Sequence, residues 1–362
     1  MSPNAVHTSP PSTEHASKTF FPKSKLLFSH SETLATLISE YPPNFSHHAK
    51  KYLFSTLLNS LSKYASTVEH CVHIRKYSSE TLDTQLAWKG GQSLCPVEIL
   101  QGPFDYQPDK GHKTKLWYLN FADANLFFAY AGSLFAQDEM QVCEMPVLAS
   151  VRELLKHLTL ENQLASPTTM HARHYATPYL IKNVPRHLHI DTAPSKSCPQ
   201  GIYGNAFAAT PLNELHKRCK VIHPPQNTNI IAMASLGYGK SYYTADQYSH
   251  LFLTALAAFS GARQETDDHT ECIIHTGLWG CGAFGMSKSV SVLVQWMAAS
   301  LAGVDKLKLH CVTKENNVQV RQILQEFSKK AHPIQQSYMS VSDFFAELDK
   351  KKAYKWGMSN GT

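Results

Sequence analysis

Apolar residues recur at helical spacing early in the chain. Between residues 31 and 63 they return every three or four positions, as at Leu53, Leu57 and Leu61. This spacing gives a helix one apolar stripe. Residues 25–110 are therefore predicted to form a helical N-terminal subdomain, which ends in a loop over residues 90–111.

The rest of the chain alternates strand-like and helix-like patterns. The predicted strands are residues 116–122, 229–235, 271–277 and 307–312, and the predicted helices are residues 136–158, 244–259 and 289–302. Pro146 bends the first helix or starts a second one. A capping box of Thr244 and Gln247 opens the next helix, and Gly261 is predicted to stop it.

Short links between these elements predict an α/β fold, with a mixed sheet flanked by helices. The main domain is predicted to span residues 111–330, with a C-terminal extension over residues 331–362. Residues 165–225 are rich in His, Pro, Ser and Lys, which favours loops and short strands. Residues 1–24 are rich in Ser, Pro, Thr and His and are predicted to be disordered.

Composition and charge narrow the class of protein. The 34 Lys and Arg residues give a formal charge of +6, and they are scattered rather than concentrated in a stripe, so we expect no nucleic-acid partner. No run reaches the roughly 18 apolar residues of a membrane span, and no secretory core is seen at the start. Eight cysteines without a C-x-x-C pair are typical of reduced thiols. We expect a cytoplasmic protein with no membrane partner.

A glycine-rich turn follows the predicted strand 271–277. The sequence from His275 to Gly285 is HTGLWGCGAFG. Its four glycines allow the backbone N–H groups to approach a ligand closely, and the next helix adds its positive end. A diphosphate site and a tight turn without a ligand both fit this spacing, which is neither the Rossmann nor the Walker pattern.

The run from Trp279 to Gly285 resembles the T-G-N-W-G-C-G-A-F-G turn of poly(ADP-ribose) glycohydrolases. The resemblance implies that residues 111–330 form a macrodomain and that the turn holds the diphosphate and distal ribose of ADP-ribose. The implied ligand residues in the turn are Gly277, Trp279, Gly280, Cys281, Gly282, Ala283, Phe284 and Gly285.

An upstream segment is similar to the catalytic signature of the same family. Phe121-Ala122-Asp123 resembles its F-A-N, and Gln137-Asp138-Glu139 resembles its Q-E-E at the same spacing. The resemblance implies that Glu139 is the acid/base, that Asp138 holds ribose hydroxyls, and that Asp123 and Gln137 contact the ligand. Ile202–Phe207 resembles a further segment, which places Tyr203 on the ligand. Without the resemblance, the preference of a helix N-terminus for negative charge is the simpler explanation of the acidic pair.

Two adjacent carboxyl groups suit glycosidic hydrolysis. One must protonate the leaving group and then, as a carboxylate, activate water. In a closed site two neighbouring carboxyl groups raise the pKa of one of them, which supplies the protonated form near neutral pH. No metal and no organic cofactor are implied.

The sequence departs from the family at three places. The family's Gly-Gly-Gly is replaced by Phe127-Phe128-Ala129, Asp138 stands for a glutamate, and Asp123 stands for an asparagine. At least one of the two aromatic rings is expected to point into or over the pocket. These changes favour removal of a single ADP-ribose over degradation of polymer.

Two other patterns are weaker candidates for chemistry. His187, His189 and Asp191 share one face of a strand, but with 20 histidines a solvated face is favoured over a metal site. Cys281 has no identifiable base nearby, so it is not predicted to be a nucleophile.

The function predicted from these patterns is hydrolysis of mono-ADP-ribose from modified proteins. The alternative is a binding module that recognises ADP-ribose without cutting it. A dinucleotide-dependent oxidoreductase is disfavoured, because the Rossmann glycines are missing. Divergent members of the resembled family include bacterial proteins delivered into host cells, which suggests ubiquitin as a target and the host cytosol as the site of action.

Overall fold

The computed structural model describes residues 21–67, 69–86, 94–108, 113–337 and 339–361. Within them the strands are β1 (Lys25–Thr33), β2 (Cys71–Ser78), β3 (Val97–Gln101), β4 (Thr114–Ala122), β5 (Tyr179–Ile190), β6 (Cys219–Ala234), β7 (Glu271–Thr276) and β8 (Lys306–Cys311). The α-helices are α1 (Leu34–Glu40), α2 (His48–Thr67), α3 (Gln137–Glu144), α4 (Val147–Leu160), α5 (Leu212–Arg218), α6 (Ala245–Gln264), α7 (Lys288–Ala302), α8 (Lys314–Ser337) and α9 (Val341–Lys350). The predicted disorder of residues 1–24 falls outside these ranges, apart from residues 21–24.

All eight described strands belong to one mixed sheet. Their order is β1-β2-β5-β6-β4-β7-β8-β3. Neighbouring strands are antiparallel from β1 through β2 and β5 to β6. From β6 through β4, β7 and β8 to β3, neighbouring strands are parallel. This sheet with flanking helices confirms the predicted α/β class.

Alternate side chains of β4 pack into two hydrophobic cores, one on each face of the sheet. Trp117 and Leu119 lie in the core with α6, α7 and α9. Leu116 and Tyr118 lie in the core with α1 to α4. Burial on both faces explains the nearly continuous apolar run of this strand. Among the described helices, none is long and apolar enough to cross a membrane.

Several predicted elements are confirmed, and one predicted helix end is wrong. Pro146 is the N-cap of α4, so the proline starts a second helix. The capping box of Thr244 and Gln247 opens α6. Gly261 does not end this helix, which continues to Gln264. A Cβ at Gly261 would lie 2.9 Å from the Tyr77 ring, so the glycine serves close packing there rather than termination.

Strands are longer and more numerous than the sequence pattern indicated. Within residues 165–225, predicted as loops and short strands, β5 has 12 residues, and β6, which begins there, has 16. Residues 97–101, predicted as loop, pair with β8 as the edge strand β3. Residues 25–110 include α1 and α2, but they also contribute β1, β2 and β3 to the common sheet. In the predicted C-terminal extension, Phe344 and Phe345 of α9 lie in the core with α6.

Candidate active site

Three adjacent parallel strands end together at one edge of the sheet. Because β4 pairs with β6 on one side and β7 on the other, the segments that follow them meet there. A Cβ on Gly277, just after β7, would lie 3.3 Å from the Phe121 ring of β4. The Phe121 N–H in turn donates to Gln137 Oε1 at 2.8 Å, at the start of α3. The glycine turn and the carboxyl pair are therefore neighbours.

Backbone contacts fix the shape of the glycine turn. Gly280 has φ +75°, and a Cβ there would lie 2.6 Å from Ser235 Oγ. Since both the backbone angle and the space exclude other side chains, this position requires glycine. The Met286 N–H donates to the Gly280 carbonyl at 2.9 Å, and α7 begins directly afterwards. A compact turn against the N-terminus of a 15-residue helix is suited to an anionic ligand.

Trp279 anchors the turn to the sheet. Its indole is 1% exposed, and its Nε1–H donates to the Met233 carbonyl of β6 at 3.1 Å. This side chain cannot cover a ligand at the surface, so a ligand contact at Trp279 is left to its backbone. Phe284, by contrast, is only partly buried, and its ring lies edge-on to Tyr238, with 5.9 Å between ring centroids.

The Cys281 thiol is unsuited to nucleophilic attack. Burial raises the pKa of Cys281 to about 12, so the thiolate is scarce at neutral pH. Its Sγ lies 3.7 Å from the Trp279 carbonyl oxygen. These properties agree with the prediction that Cys281 is not the nucleophile.

The carboxyl groups of Asp138 and Glu139 are buried in the first turn of α3. Glu139 Oε2 accepts the Ala136 N–H at 2.9 Å. Asp138 Oδ1 accepts the Asn120 amide at 3.0 Å. Burial raises the pKa of both groups above their ordinary values, and the Glu139 charge raises that of Asp138 further. The pair therefore retains a proton at higher pH than exposed carboxyl groups do.

Replacement of Asp138 by Asn should increase stability more at pH 8 than at pH 5. A carboxyl group whose pKa is raised in the folded state lowers the free energy of unfolding once the pH rises above the pKa that the group has in the unfolded chain. The decrease is at most about 1.4 kcal/mol per pH unit. Asn pays no such penalty and keeps an oxygen for the Asn120 amide. Urea unfolding of wild type and Asp138→Asn at both pH values measures the difference. Asp268→Asn, at an exposed position, is the control, and an equal gain at both pH values would contradict the raised pKa.

The remaining implied ligand residues surround the pair. The Gln137 amide is engaged with β4, because besides accepting the Phe121 N–H it donates to the Leu119 carbonyl at 3.0 Å. Asp123 Oδ1 accepts the Asn125 N–H at 2.8 Å. Tyr203 as a residue is 42% exposed, but its hydroxyl lies near the start of α3. Desolvation of the hydroxyl and the Glu139 charge raise the pKa of Tyr203, and a hydrogen bond from the backbone of Gln137 lowers it.

Two residues near the carboxyl pair were not predicted from the sequence. Asn120 is fully buried and donates to both Asp138 and Gln141. Lys50, from α2, is fully buried and donates to the carbonyl groups of Tyr130 and Leu134 at 2.9 and 2.6 Å. Burial lowers the pKa of Lys50, and the charges of Glu139 and Asp138 oppose that change. A polar residue in the apolar strand β4 was a signal for Asn120, whereas nothing near Lys50 distinguishes it from a surface lysine.

The two rings of the 127–128 pair have different environments. Phe127 is fully buried, whereas Phe128 is 62% exposed. The guanidinium of Arg152 lies 5.8 Å from the Phe128 centroid. Only Phe128 is therefore placed to act as an aromatic at the surface, since Phe127 belongs to the core.

The last residues of the chain border the glycine turn. The Gly357 N–H donates to the Gly285 carbonyl at 2.9 Å, and the Asn360 N–H donates to the Gly282 carbonyl at 3.3 Å. The Asn205 amide, two residues after Tyr203, donates to the Gly361 carbonyl at 2.6 Å. Residues 357–361 thus connect the turn with the segment that carries Tyr203.

The histidines at 187 and 189 have separate environments. Burial lowers the pKa of His187 to about 4, and its ring lies edge-on to Tyr64. His189 is half exposed and contacts the Arg186 guanidinium at 3.0 Å. Asp191 caps the Ala193 N–H. In the described part of the chain these residues do not form a group of three possible metal ligands.

Comparisons with known proteins agree with the sequence resemblance. Residues 188–319 match the family model described as poly(ADP-ribose) glycohydrolase (PARG), macro domain fold. This range contains Tyr203 and the glycine turn, but not the carboxyl pair. No curated protein matches the chain. The family match confirms the resemblance of the chain to poly(ADP-ribose) glycohydrolases.

Solved structures of poly(ADP-ribose) glycohydrolases also align with the chain. The enzyme from Thermomonospora curvata has 13% identity and a TM-score of 0.43, with 70% of this chain and 85% of that chain covered. The same enzyme bound to the inhibitor ADP-HPD has 14% identity and a TM-score of 0.40, covering 68% and 83%. A point mutant of the enzyme from Deinococcus radiodurans, in complex with ADP-ribose, has 13% identity and a TM-score of 0.40, covering 70% and 94%.

Proposed function

We propose that this chain, which resembles poly(ADP-ribose) glycohydrolases, hydrolyses the bond between ADP-ribose and a protein side chain. The observation that carries the proposal is a buried carboxyl pair with raised pKa values beside a glycine turn at one sheet edge. The turn offers a place for a diphosphate, and the pair offers a proton next to it.

In the proposed reaction Glu139 acts first as an acid and then as a base. Its proton passes to the leaving side-chain atom as the bond from that atom to the ribose C1″ breaks. A water oxygen then bonds to C1″, and the water's proton returns to Glu139. Burial and the Asp123 charge raise the pKa of Glu139 and favour the protonated starting state. Asp138, held by Asn120, is proposed to bind ribose hydroxyls.

One observation favours the alternative of a binding module without catalysis. Glu139 Oε2 accepts the Ala136 N–H, and this bond lowers the pKa of Glu139. A carboxylate held in its charged form would cap the helix and would be a poor proton donor. The raised pKa, in which burial outweighs this bond, supports the enzyme instead.

A panel of substrates with defined linkages tests the proposal. Proteins that carry one ADP-ribose on Arg, Ser or Asp/Glu are mixed with the chain, with Arg-modified ubiquitin among them, and released ADP-ribose is quantified. We expect release from at least one linkage. Binding of ADP-ribose without release from any linkage would establish the alternative, a binding module.

We further propose that the substrate carries a single ADP-ribose. The exposed ring of Phe128 occupies the loop between β4 and α3, where the family has glycines, and Arg152 supports it. An aromatic side chain there narrows the path for a second ADP-ribose unit while it still covers one.

Phe128→Gly should therefore increase the rate on short polymer relative to the rate on singly modified protein. Because Phe128 is 62% exposed, its removal costs little packing energy. The two rates are measured for wild type and variant on length-sorted polymer and on one singly modified protein. Leu160→Gly, at an 80% exposed residue in the last turn of α4, is the control. An unchanged ratio in Phe128→Gly would reject the role of this ring.

A further inference from the structure

Asp105, His275 and His310 bring three possible metal ligands together outside the carboxyl pair. One donor atom from each lies within 4.8 Å of the other two. His275 Nδ1 is 2.9 Å from His310 Nε2 and 3.8 Å from Asp105 Oδ1. We propose that these three side chains bind one divalent cation of the Zn²⁺ type. Two imidazoles and one carboxylate form a ligand set typical of such ions, with water as the fourth ligand.

The fold supplies the ligands from three adjacent segments. His275 lies near the end of β7 and His310 near the end of β8, which run parallel as neighbours. Asp105 follows β3, the strand on the other side of β8. Tetrahedral ligand atoms around Zn²⁺ are about 3.3 Å apart, given bonds of about 2.0–2.1 Å. Two of the separations, 2.9 and 3.8 Å, lie on either side of that value, and the third, from Asp105 to His310, is at most 4.8 Å. Side-chain shifts of about 1 Å would therefore bring the three atoms to tetrahedral spacing.

A backbone hydrogen bond orients one of the two imidazoles. His310 Nδ1 lies 3.0 Å from the Pro103 carbonyl oxygen. Because a carbonyl only accepts, Nδ1 carries the proton and the Nε2 lone pair points towards His275. A metal-bound histidine in proteins is typically held by such a bond from its other nitrogen. His275 then binds through Nδ1 and carries its proton on Nε2, an atom that has no hydrogen-bond partner among the described residues.

A simple hydrogen-bonded histidine pair explains less of this arrangement. The two rings are packed against aromatic neighbours, with 4.4 Å between the centroids of Tyr118 and His275 and 5.0 Å between those of Phe104 and His310. A pair of neutral rings in such a setting needs no carboxylate. Asp105 nevertheless stands beside them with 45% of its side chain exposed, which also gives a cation a route from solvent.

The proposed cation has a structural consequence near the active site. It ties the segment after β3 to β7 and β8. A Cβ on Gly277, two residues after His275, would lie 3.1 Å from the His310 carbonyl oxygen, so the start of the glycine turn packs against the same residues. The cation should therefore stabilise the folded chain by mass action.

Titration of the full chain with Co²⁺ after dialysis against a chelator tests the site. Co²⁺ replaces Zn²⁺ and reports coordination by its visible absorption, which is far stronger for a four-coordinate site than for hydrated or weakly bound ions. We expect the four-coordinate spectrum to saturate at about one Co²⁺ per chain, and Zn²⁺ to displace it and raise the melting temperature. Weak binding by the chain's other histidines does not give this spectrum.

Variants keep the test decisive. Asp105→Asn, at a half-exposed position, should weaken Co²⁺ binding by about 10–100-fold or more, as loss of even an outer-shell partner does. His189→Gln, which changes a half-exposed histidine elsewhere, should leave the titration unchanged. Absence of the four-coordinate spectrum in wild type would overturn the proposal. An Asp105→Asn chain with unchanged Co²⁺ affinity would also overturn it. Binding of ADP-ribose by that variant is the check that the variant is folded.

Discussion

Glu139→Gln is expected to reduce the rate of ADP-ribose release by about 10²–10⁴-fold, the usual contribution of general acid/base catalysis. The amide keeps the size of the side chain, and its oxygen can still accept the Ala136 N–H, so the fold and α3 should be preserved. It cannot deliver and recover a proton. The binding of free ADP-ribose should change much less, because the turn and α7 are untouched. Single-turnover release and isothermal titration measure the two quantities.

Two matched variants separate the acid from the rest of the helix. Glu161→Gln changes an exposed residue after α4 and should leave both quantities as in wild type. Asp138→Asn should weaken ADP-ribose binding as well as the rate, since Asp138 is proposed to hold ribose hydroxyls. If Glu139→Gln releases ADP-ribose at the wild-type rate while Asp138→Asn does not, Asp138 is the acid and the proposed roles are reversed.

Gly282→Val is expected to abolish ADP-ribose binding. Gly282 lies in the middle of the turn, and its carbonyl already accepts the N–H groups of Gly285 and Asn360. If the turn holds the diphosphate, as proposed, an isopropyl group at this position should crowd the approach of a phosphate to the backbone N–H groups, which the glycines otherwise permit. We expect no heat of binding at millimolar ADP-ribose and no increase in melting temperature.

The control for this variant is Gly132→Ala. A Cβ at Gly132 meets only the Ala129 carbonyl oxygen, at 3.8 Å, which is an ordinary contact, so binding should stay as in wild type. Both variants are checked by their melting temperature without ligand. A folded Gly282→Val chain with wild-type affinity would show that the diphosphate does not bind to this turn.

The elements that were predicted correctly share a strong local signal. β4 has a nearly continuous apolar run, α7 is mostly apolar, and β8 begins with alternating polar and apolar residues. All three have clear boundaries, and the start of α6 has a capping box. The errors come from tertiary contacts. Gly261 lies within α6 because the Tyr77 ring packs closely against it. The segment of β1 has a weak strand pattern of its own and forms a strand by pairing with β2.

The parts of the candidate site whose residues are close together in sequence could be predicted. Adjacent carboxyl groups and clustered glycines are visible in the sequence, and the family resemblance related them to one ligand. Lys50 and the Asp105–His275–His310 group were not predictable, because their members are far apart in sequence and meet only in the folded sheet. Trp279 was assigned to the ligand on the family resemblance, and its position in the turn does not reveal that its side chain is buried.

Mass spectrometry of both products from a singly ADP-ribosylated protein tests most directly whether the turn and the pair form one hydrolytic centre. A protein with one defined linkage is incubated with excess wild-type chain, and in parallel with Glu139→Gln and Gly282→Val. Wild type should yield intact ADP-ribose and the unmodified protein, and both variants should yield neither at a comparable rate. Bound but uncleaved substrate on wild type for every linkage tested in this way, or release at the wild-type rate by Gly282→Val or by both Glu139→Gln and Asp138→Asn, would contradict hydrolysis at this site.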